Sequence, residues 1–190
     1  MAEQIVPTVY FEKPGPANTD RTLEIAAKRA RELNIKTVLV ATTQGDTGVK
    51  AAERMKGLEI IAVTHNTGFT QPNAQELSAG NRETLEKSGV KVLTGIHAFG
   101  GVNRGLRMKL GTYQPDEIIA FTLRTLGQGL KVCVEISVMA ADAGLVRAGE
   151  PCVAIAGTGR GADTAVVLSP AHAQGFLDLR IHEILCKPHG

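Results

Sequence analysis

The chain has 190 residues, ordinary apolar and charged fractions and a formal charge of +2, which suits one globular domain burying roughly 70% of its unfolded surface. Its basic residues are interspersed with acidic ones instead of forming a stripe, so it lacks the electrostatic footprint of a nucleic-acid binder, and a small anion is the better partner. The start Met1-Ala2-Glu3-Gln4 carries no basic-then-apolar leader and no apolar run approaches the ~18 residues of a membrane span, so a cytoplasmic protein with no membrane contact is expected.

In chain order, helical and extended patterns alternate. After Pro14-Gly15-Pro16, Thr19 or Asp20 is placed to cap a helix with Leu23, Ala26, Ala27, Ala30 and Leu33 on its apolar face and Asn34 at its end. Residues 37–41 form a continuous apolar strand of the kind buried on both faces. Residues 47–55 read as the next helix, closed by Lys56-Gly57. A second buried strand over 59–63 leads into a polar loop over 64–69. Residues 74–87 read as a helix stopped by Ser88-Gly89, and 91–94 as a third strand.

The glycine-rich stretch 97–111 fits either a lid or an edge helix, with Arg104, Arg107 and Lys109 expected on a solvated face. Residues 116–126 and 130–143 read as two helices parted by Gly127-Gln128-Gly129, the second packed on the sheet through an almost wholly apolar side. Glu135 and Asp142 on that helix are expected as hydrogen-bonded neighbours of the core. Residues 151–156 and 164–168 are strands, and 181–185 a short final one. Cys133, Cys152 and Cys186 are odd in number, widely spaced and set among apolar neighbours, the pattern of reduced packing cysteines and not of a disulfide framework or a metal site. The alternation predicts a single three-layer α/β/α domain over residues 1–190, built on an open, mostly parallel sheet of about five strands.

Two glycine-rich loops directly follow β-branched runs: Thr42-Thr43-Gln44-Gly45-Asp46-Thr47-Gly48 after Val38-Leu39-Val40, and Gly157-Thr158-Gly159-Arg160-Gly161-Ala162 after Val153-Ala154-Ile155. Glycine lets the backbone approach an anion, threonine hydroxyls and free N–H groups donate to it, and a helix beginning just beyond adds its positive end. The first loop is not a P-loop, because two residues instead of four separate Gly45 and Gly48 and Val49 follows. The second satisfies G-x-G-x-x-A but opens a strand where a dinucleotide fingerprint must open a helix. His65, Asn66, Phe69 and His97 follow predicted strands and so belong to the same ligand edge. Plain readings stand beside these: a capped strand-to-helix connection for 42–48, a hairpin-like connection with Arg160 in solvent for 157–163, and hydrogen-bonded structural histidines.

Three segments carry a resemblance to the C-terminal α/β domain of pyruvate kinase. Thr42-x-x-Gly45-x-Thr47 stands where that domain has its Thr-x-Ser-Gly-Arg-Thr loop. Ile60-Ile61-Ala62-Val63-Thr64 with Asn66 resembles its second strand and turn. Ala143-Gly144-Leu145-Val146-Arg147-Ala148-Gly149-Glu150, followed by Val153-Ala154-Ile155-Ala156-Gly157, resembles its closing pattern. The likeness covers residues 19–94 and 130–168; 97–129 and the tail after Pro170 have no counterpart, so the expectation is a stand-alone relative.

The resemblance implies no pyruvate kinase activity, since that chemistry belongs to a separate barrel domain, while the C-terminal domain holds a regulatory sugar phosphate in the loop matching 42–47. Gln44 and Asp46 replace the serine and arginine of that loop, and a carboxylate within ~5 Å of a phosphate is repulsive unless a cation intervenes. For stand-alone members the resemblance implies a small phosphorylated ligand, flavin mononucleotide (FMN). The cofactor-binding residues expected are Thr42, Thr43, Gly45, Asp46, Thr47, Gly48, His65, Asn66, Phe69, His97, Gly157, Thr158, Gly159, Arg160 and Gly161, with Phe69 and Phe99 as a flat apolar wall for the ring. A flavin-dependent oxidoreductase acting on an unknown small molecule is the alternative, and a partner-binding module the third reading. Homo-oligomerisation is left open.

Overall fold

Runs of β-branched and apolar residues lie side by side and bury both faces, as near-continuous apolar strands must. The computed structural model describes residues 3–190; Met1 and Ala2, where the N-terminal reading begins, lie outside them. The elements in chain order are β1 (Val9–Phe11), α1 (Thr19–Glu32), β2 (Thr37–Ala41), α2 (Asp46–Arg54), β3 (Glu59–Thr64), α3 (Ala79–Lys87) and β4 (Lys91–Thr94). There follow α4 (Gly101–Leu110), α5 (Pro115–Arg124), α6 (Gln128–Asp142), β5 (Cys152–Ala156), β6 (Thr164–Ser169) and β7 (Arg180–Pro188).

The strands form one seven-stranded sheet in the order β1-β7-β6-β5-β2-β3-β4. Every pairing is parallel except those of β6, which runs against both β5 and β7. The period of two sorts the side chains. Val38, Val40, Ile60, Ala62, Val153 and Ile155 pack into a core with Leu23 of α1, Met55 just past the end of α2 and Leu85 of α3. Leu39, Ile61, Val63, Cys152 and Ala154 pack into a second core with Leu130, Val134 and Met139 of α6. The three-layer arrangement is thus as expected, with α1–α3 over one face and α6, flanked by α5, over the other.

Several boundaries depart from expectation. The sheet has seven strands, not about five: β1 pairs with β7, from the opposite end of the chain, and β7 runs over nine residues because β6 and β1 flank it on both sides. The helix expected from residue 74 begins at Ala79, since the Ser78 hydroxyl caps it by accepting from the Asn81 N–H (3.2 Å). The stretch 97–111 holds a helix, α4, none of whose residues is buried. Asp142 is exposed rather than a core neighbour, its carboxylate accepting from the Ala173 N–H (3.1 Å). All three cysteines are free and buried, and burial pushes the Cys152 thiol up to about 12 and the Cys186 thiol to about 11. Among the described residues no helix is long and apolar enough to cross a membrane.

Candidate functional site

The sheet order sets the site. β2 and β5 are neighbours, the chain leaves β2 toward β3 and β4, and it leaves β5 toward β6 and β7. This is a switch point, where loops at the carboxyl ends of the strands part and leave a crevice. A cleft of about 920 Å³ opens there, at the upper end of the roughly 300–1,000 Å³ of ligand pockets.

The first glycine loop closes one side. Gly45 is buried with φ 108°, and a Cβ on it would lie 2.4 Å from the Asn81 Cβ of α3, so only glycine serves. Asn81 Nδ2 donates to Gln44 O (2.9 Å) and to Asp46 Oδ1 (3.2 Å), tying one oxygen of that carboxylate to α3. The Thr42 hydroxyl accepts from the Gly48 N–H (3.4 Å). Val49 N–H bonds Gly45 O (2.9 Å) as the helix begins, and the N–H groups of Asp46 and Thr47 before it have no intrahelical acceptor. Thr42, Thr43, Asp46 and Thr47 line the cleft.

A buried carboxylate organises the second glycine loop. Asp163, fully buried, accepts from Gly15 N–H (2.9 Å), Thr158 N–H (3.1 Å) and the Thr164 hydroxyl (2.8 Å). The Thr19 hydroxyl accepts from Ala162 N–H (2.9 Å). A Cβ on Gly157 would sit 2.5 Å from Gly161 O, and one on Gly161 2.6 Å from the Pro16 Cα, so both glycines answer to packing. Gly157, Gly159, Arg160 and Gly161 line the cleft, and Arg160 is exposed.

Rings and cations form the next side. His65 Nδ1 pairs with Glu76 Oε2 (2.7 Å), and the His65 ring lies 4.1 Å from the Phe69 ring. Phe69 stacks on His97 (4.8 Å, 20°) while the Arg104 guanidinium lies 4.6 Å from its centroid. Phe99 is buried and meets Phe176 edge-on. Phe69 and Phe99, expected as a flat wall, both line the cleft, and Phe69 carries the His97 ring and the Arg104 guanidinium against it. His97 has a buried Nε2 without a hydrogen-bond partner among the described residues, and burial holds its imidazole below the ordinary range, with the charges of His65, Lys131 and Arg104 offsetting part of the pull of Glu135.

Helices α4, α5 and α6 supply the remaining wall, where Gln128, Lys131, Val132, Glu135, Ile136 and Met139 follow helical spacing along α6. Lys131 Nζ donates to Glu135 Oε2 (2.5 Å), and Glu135 Oε1 accepts from Phe99 N–H (3.1 Å). Arg107 Nε donates to Glu117 Oε1 (2.5 Å), leaving Glu117 Oε2 buried without a partner among the described residues. Arg104 and Arg107 thus face the cleft, correcting their expected place on a solvated face.

Of the residues singled out by sequence, Thr42, Thr43, Asp46, Thr47, His65, Phe69, His97, Gly157, Gly159, Arg160 and Gly161 line one cleft. Gly45, Gly48, Asn66 and Thr158 are not in its lining: Gly45 and Gly48 sit beneath it against α3 and β3, Asn66 bonds Thr67 O (2.9 Å), and the Thr158 N–H is taken by Asp163. Lys131, Glu117, Arg124 and Gln128 were missed. Lys131 and Glu135, an opposite-charge i,i+4 pair on an otherwise apolar helix, were the one sign of them in the sequence. Among the described residues no cluster of three or more His, Cys, Asp or Glu has metal-site geometry.

The family model described as the pyruvate kinase alpha/beta domain matches residues 20–168. A pyruvate kinase structure from Cryptosporidium parvum is 15% identical with a TM-score of 0.44, over 83% of this chain and 23% of that one. A second from that organism, in complex with ADP, is 16% identical with a TM-score of 0.42, over 93% and 25%. The chain spans about a quarter of the length of these kinases. It belongs to the pyruvate kinase alpha/beta domain family.

Proposed function

We propose that the cleft binds a small phosphorylated ligand bearing a flat ring, with FMN as the candidate. One observation carries this reading: the loops after β2, β3 and β5 and the N-terminus of α2 line a single cavity at the switch point of the sheet. The phosphate belongs at the first turn of α2, where free N–H groups and the Thr43 and Thr47 hydroxyls meet the positive end of the helix, with Arg160 reaching in from the second loop. Asn81 restrains the Asp46 carboxylate that would otherwise oppose an anion there. Ala41, Val63, Ile136 and Met139 give the ring apolar surface.

Few aromatic side chains are free to stack on the ring, so the expected affinity is micromolar, about 8 kcal/mol. Titration with FMN, riboflavin and a nicotinamide dinucleotide tests the reading. Arg160 is exposed and makes no hydrogen bond or ion pair among the described residues, so Arg160→Ala leaves the melting temperature in place. The same variant weakens FMN roughly tenfold, the order of one charge-assisted contact, and leaves riboflavin unaffected. Riboflavin binding as tightly as FMN in the unaltered protein would remove the phosphate cradle.

A further inference from the structure

Four cations stand on the helical wall of the cleft, and the carboxylates beside them serve only two. Glu117 holds Arg107 and Glu135 holds Lys131, each at 2.5 Å. Arg104 and Arg124 have no carboxylate partner among the described residues. Arg104 lies against Phe69 (4.6 Å), and Arg124 donates to Gln128 Oε1 (2.7 Å) beside the Phe121 ring (5.1 Å). The Lys131 side chain is only 7% exposed, yet among the described residues its ammonium finds one acceptor for three N–H donors. Of Arg104, Arg124 and Lys131, only Lys131 has a carboxylate partner among the described residues, that of Glu135. Burial first, and then the charges of Arg124 and Arg104, push the Lys131 ammonium below its usual range against the pull of Glu135. Like charges gathered on the wall of a cleft are costly until an anion arrives, and they focus the field that draws one in.

We propose that this wall is a second ligand subsite, which takes the carboxylate of a small organic acid between Arg104, Arg124 and Lys131. The subsite goes beyond the phosphorylated ligand proposed above: it lies in the same cleft but uses none of the residues assigned to that phosphate. A monocarboxylate suits it better than a phosphate dianion, because the cost of taking an ion out of water rises with the square of its charge whereas its attraction to the cations rises only linearly. Guanidinium forks match a planar carboxylate. Ala120, Phe121 and Val132 line the same wall, so the acid has an apolar or aromatic body. Glu135 is a positioning residue: its bonds to Lys131 and to Phe99 N–H fix the ammonium on α6.

Calorimetric titration of the ligand-free chain with benzoate, acetate and inorganic phosphate tests this. Benzoate is expected to bind at least tenfold more tightly than acetate. Arg104→Met keeps the aliphatic stem that packs on Phe69 and is expected to weaken benzoate about tenfold without altering phosphate binding. Lys131→Met combined with Glu135→Gln removes both members of the buried pair, so no lone charge is left to unfold the protein, and weakens benzoate similarly. Arg160→Ala leaves benzoate unchanged, so this subsite and the FMN reading fail independently. Benzoate binding no tighter than acetate, unchanged benzoate affinity in a folded Arg104→Met variant, or a larger loss for phosphate than for benzoate in that variant overturns the proposal.

Discussion

Asp163 accepts three hydrogen bonds from three separate segments, the Gly15 turn, the Thr158 loop and the start of β6. Asp163→Ala leaves the Gly15 and Thr158 N–H groups without their acceptor, which costs about 1–3 kcal/mol. Urea unfolding is expected to show a lower midpoint with an unchanged slope; an unchanged midpoint would mean that the loop holds without this carboxylate. His97 sets a pH dependence. Its folded-state value lies below the ordinary one of about 6.5, so its contribution to stability is intact above about 6.5 and is lost as pH falls through the folded-state value. The melting temperature is expected to drop between pH 7 and pH 5, and to drop less in His97→Gln; parallel profiles in the two proteins would assign the drop elsewhere. At this scale the sequence revealed which residues gather at the strand ends, because each followed an apolar run. It did not reveal their duties. Gly45 and Gly161 look like anion-approach glycines in one dimension, but their neighbours Asn81 and Pro16 come from distant segments, and substituting them changes packing before it changes binding.

The interior elements were legible because their apolar runs match what they bury: β2 and β4 were read at their observed bounds, and α6 within two residues at its N-terminus. Elements stabilised from elsewhere were not. β1 is three residues long and exists through its pairing with β7, a contact no local pattern announces. The start of α3 depends on one cap: Ser78→Ala is expected to cost about 1 kcal/mol, measurable by chemical denaturation, and an unaltered midpoint would leave Gln44 and Asn81 as the true anchors of that corner. α4 gave no clear pattern because Val102, Leu106, Met108 and Leu110 are exposed and none of its ten residues is buried. An element with so few buried apolar contacts opens at low free energy. Amide hydrogens of residues 101–110 are therefore expected to exchange far faster than those of α6, whose Leu130, Val134 and Val138 are fully buried; equal protection of the two helices would refute this.

The cleft couples the two halves of the molecule, since α2 and the β3 loop reach it from one side of the switch point and the 157–161 loop from the other, with α6 crossing behind. A ligand that fills it touches segments from Thr42 to Gly161, so binding is expected to act on global unfolding and not on one loop. At one hundred times its dissociation constant, a ligand bound only by the folded state adds about 2.7 kcal/mol. For a domain of this size each kcal/mol moves the melting temperature by roughly 2–4 °C, so saturating FMN is expected to raise it by about 5–10 °C. Riboflavin, without the phosphate, has a higher dissociation constant and at the same concentration is expected to give a smaller shift. The Arg160→Ala variant, which retains the fold, is expected to bring the FMN shift down toward that of riboflavin. A thermal scan in which saturating FMN leaves the melting temperature of the unaltered chain in place would dismiss FMN as the occupant of this cleft.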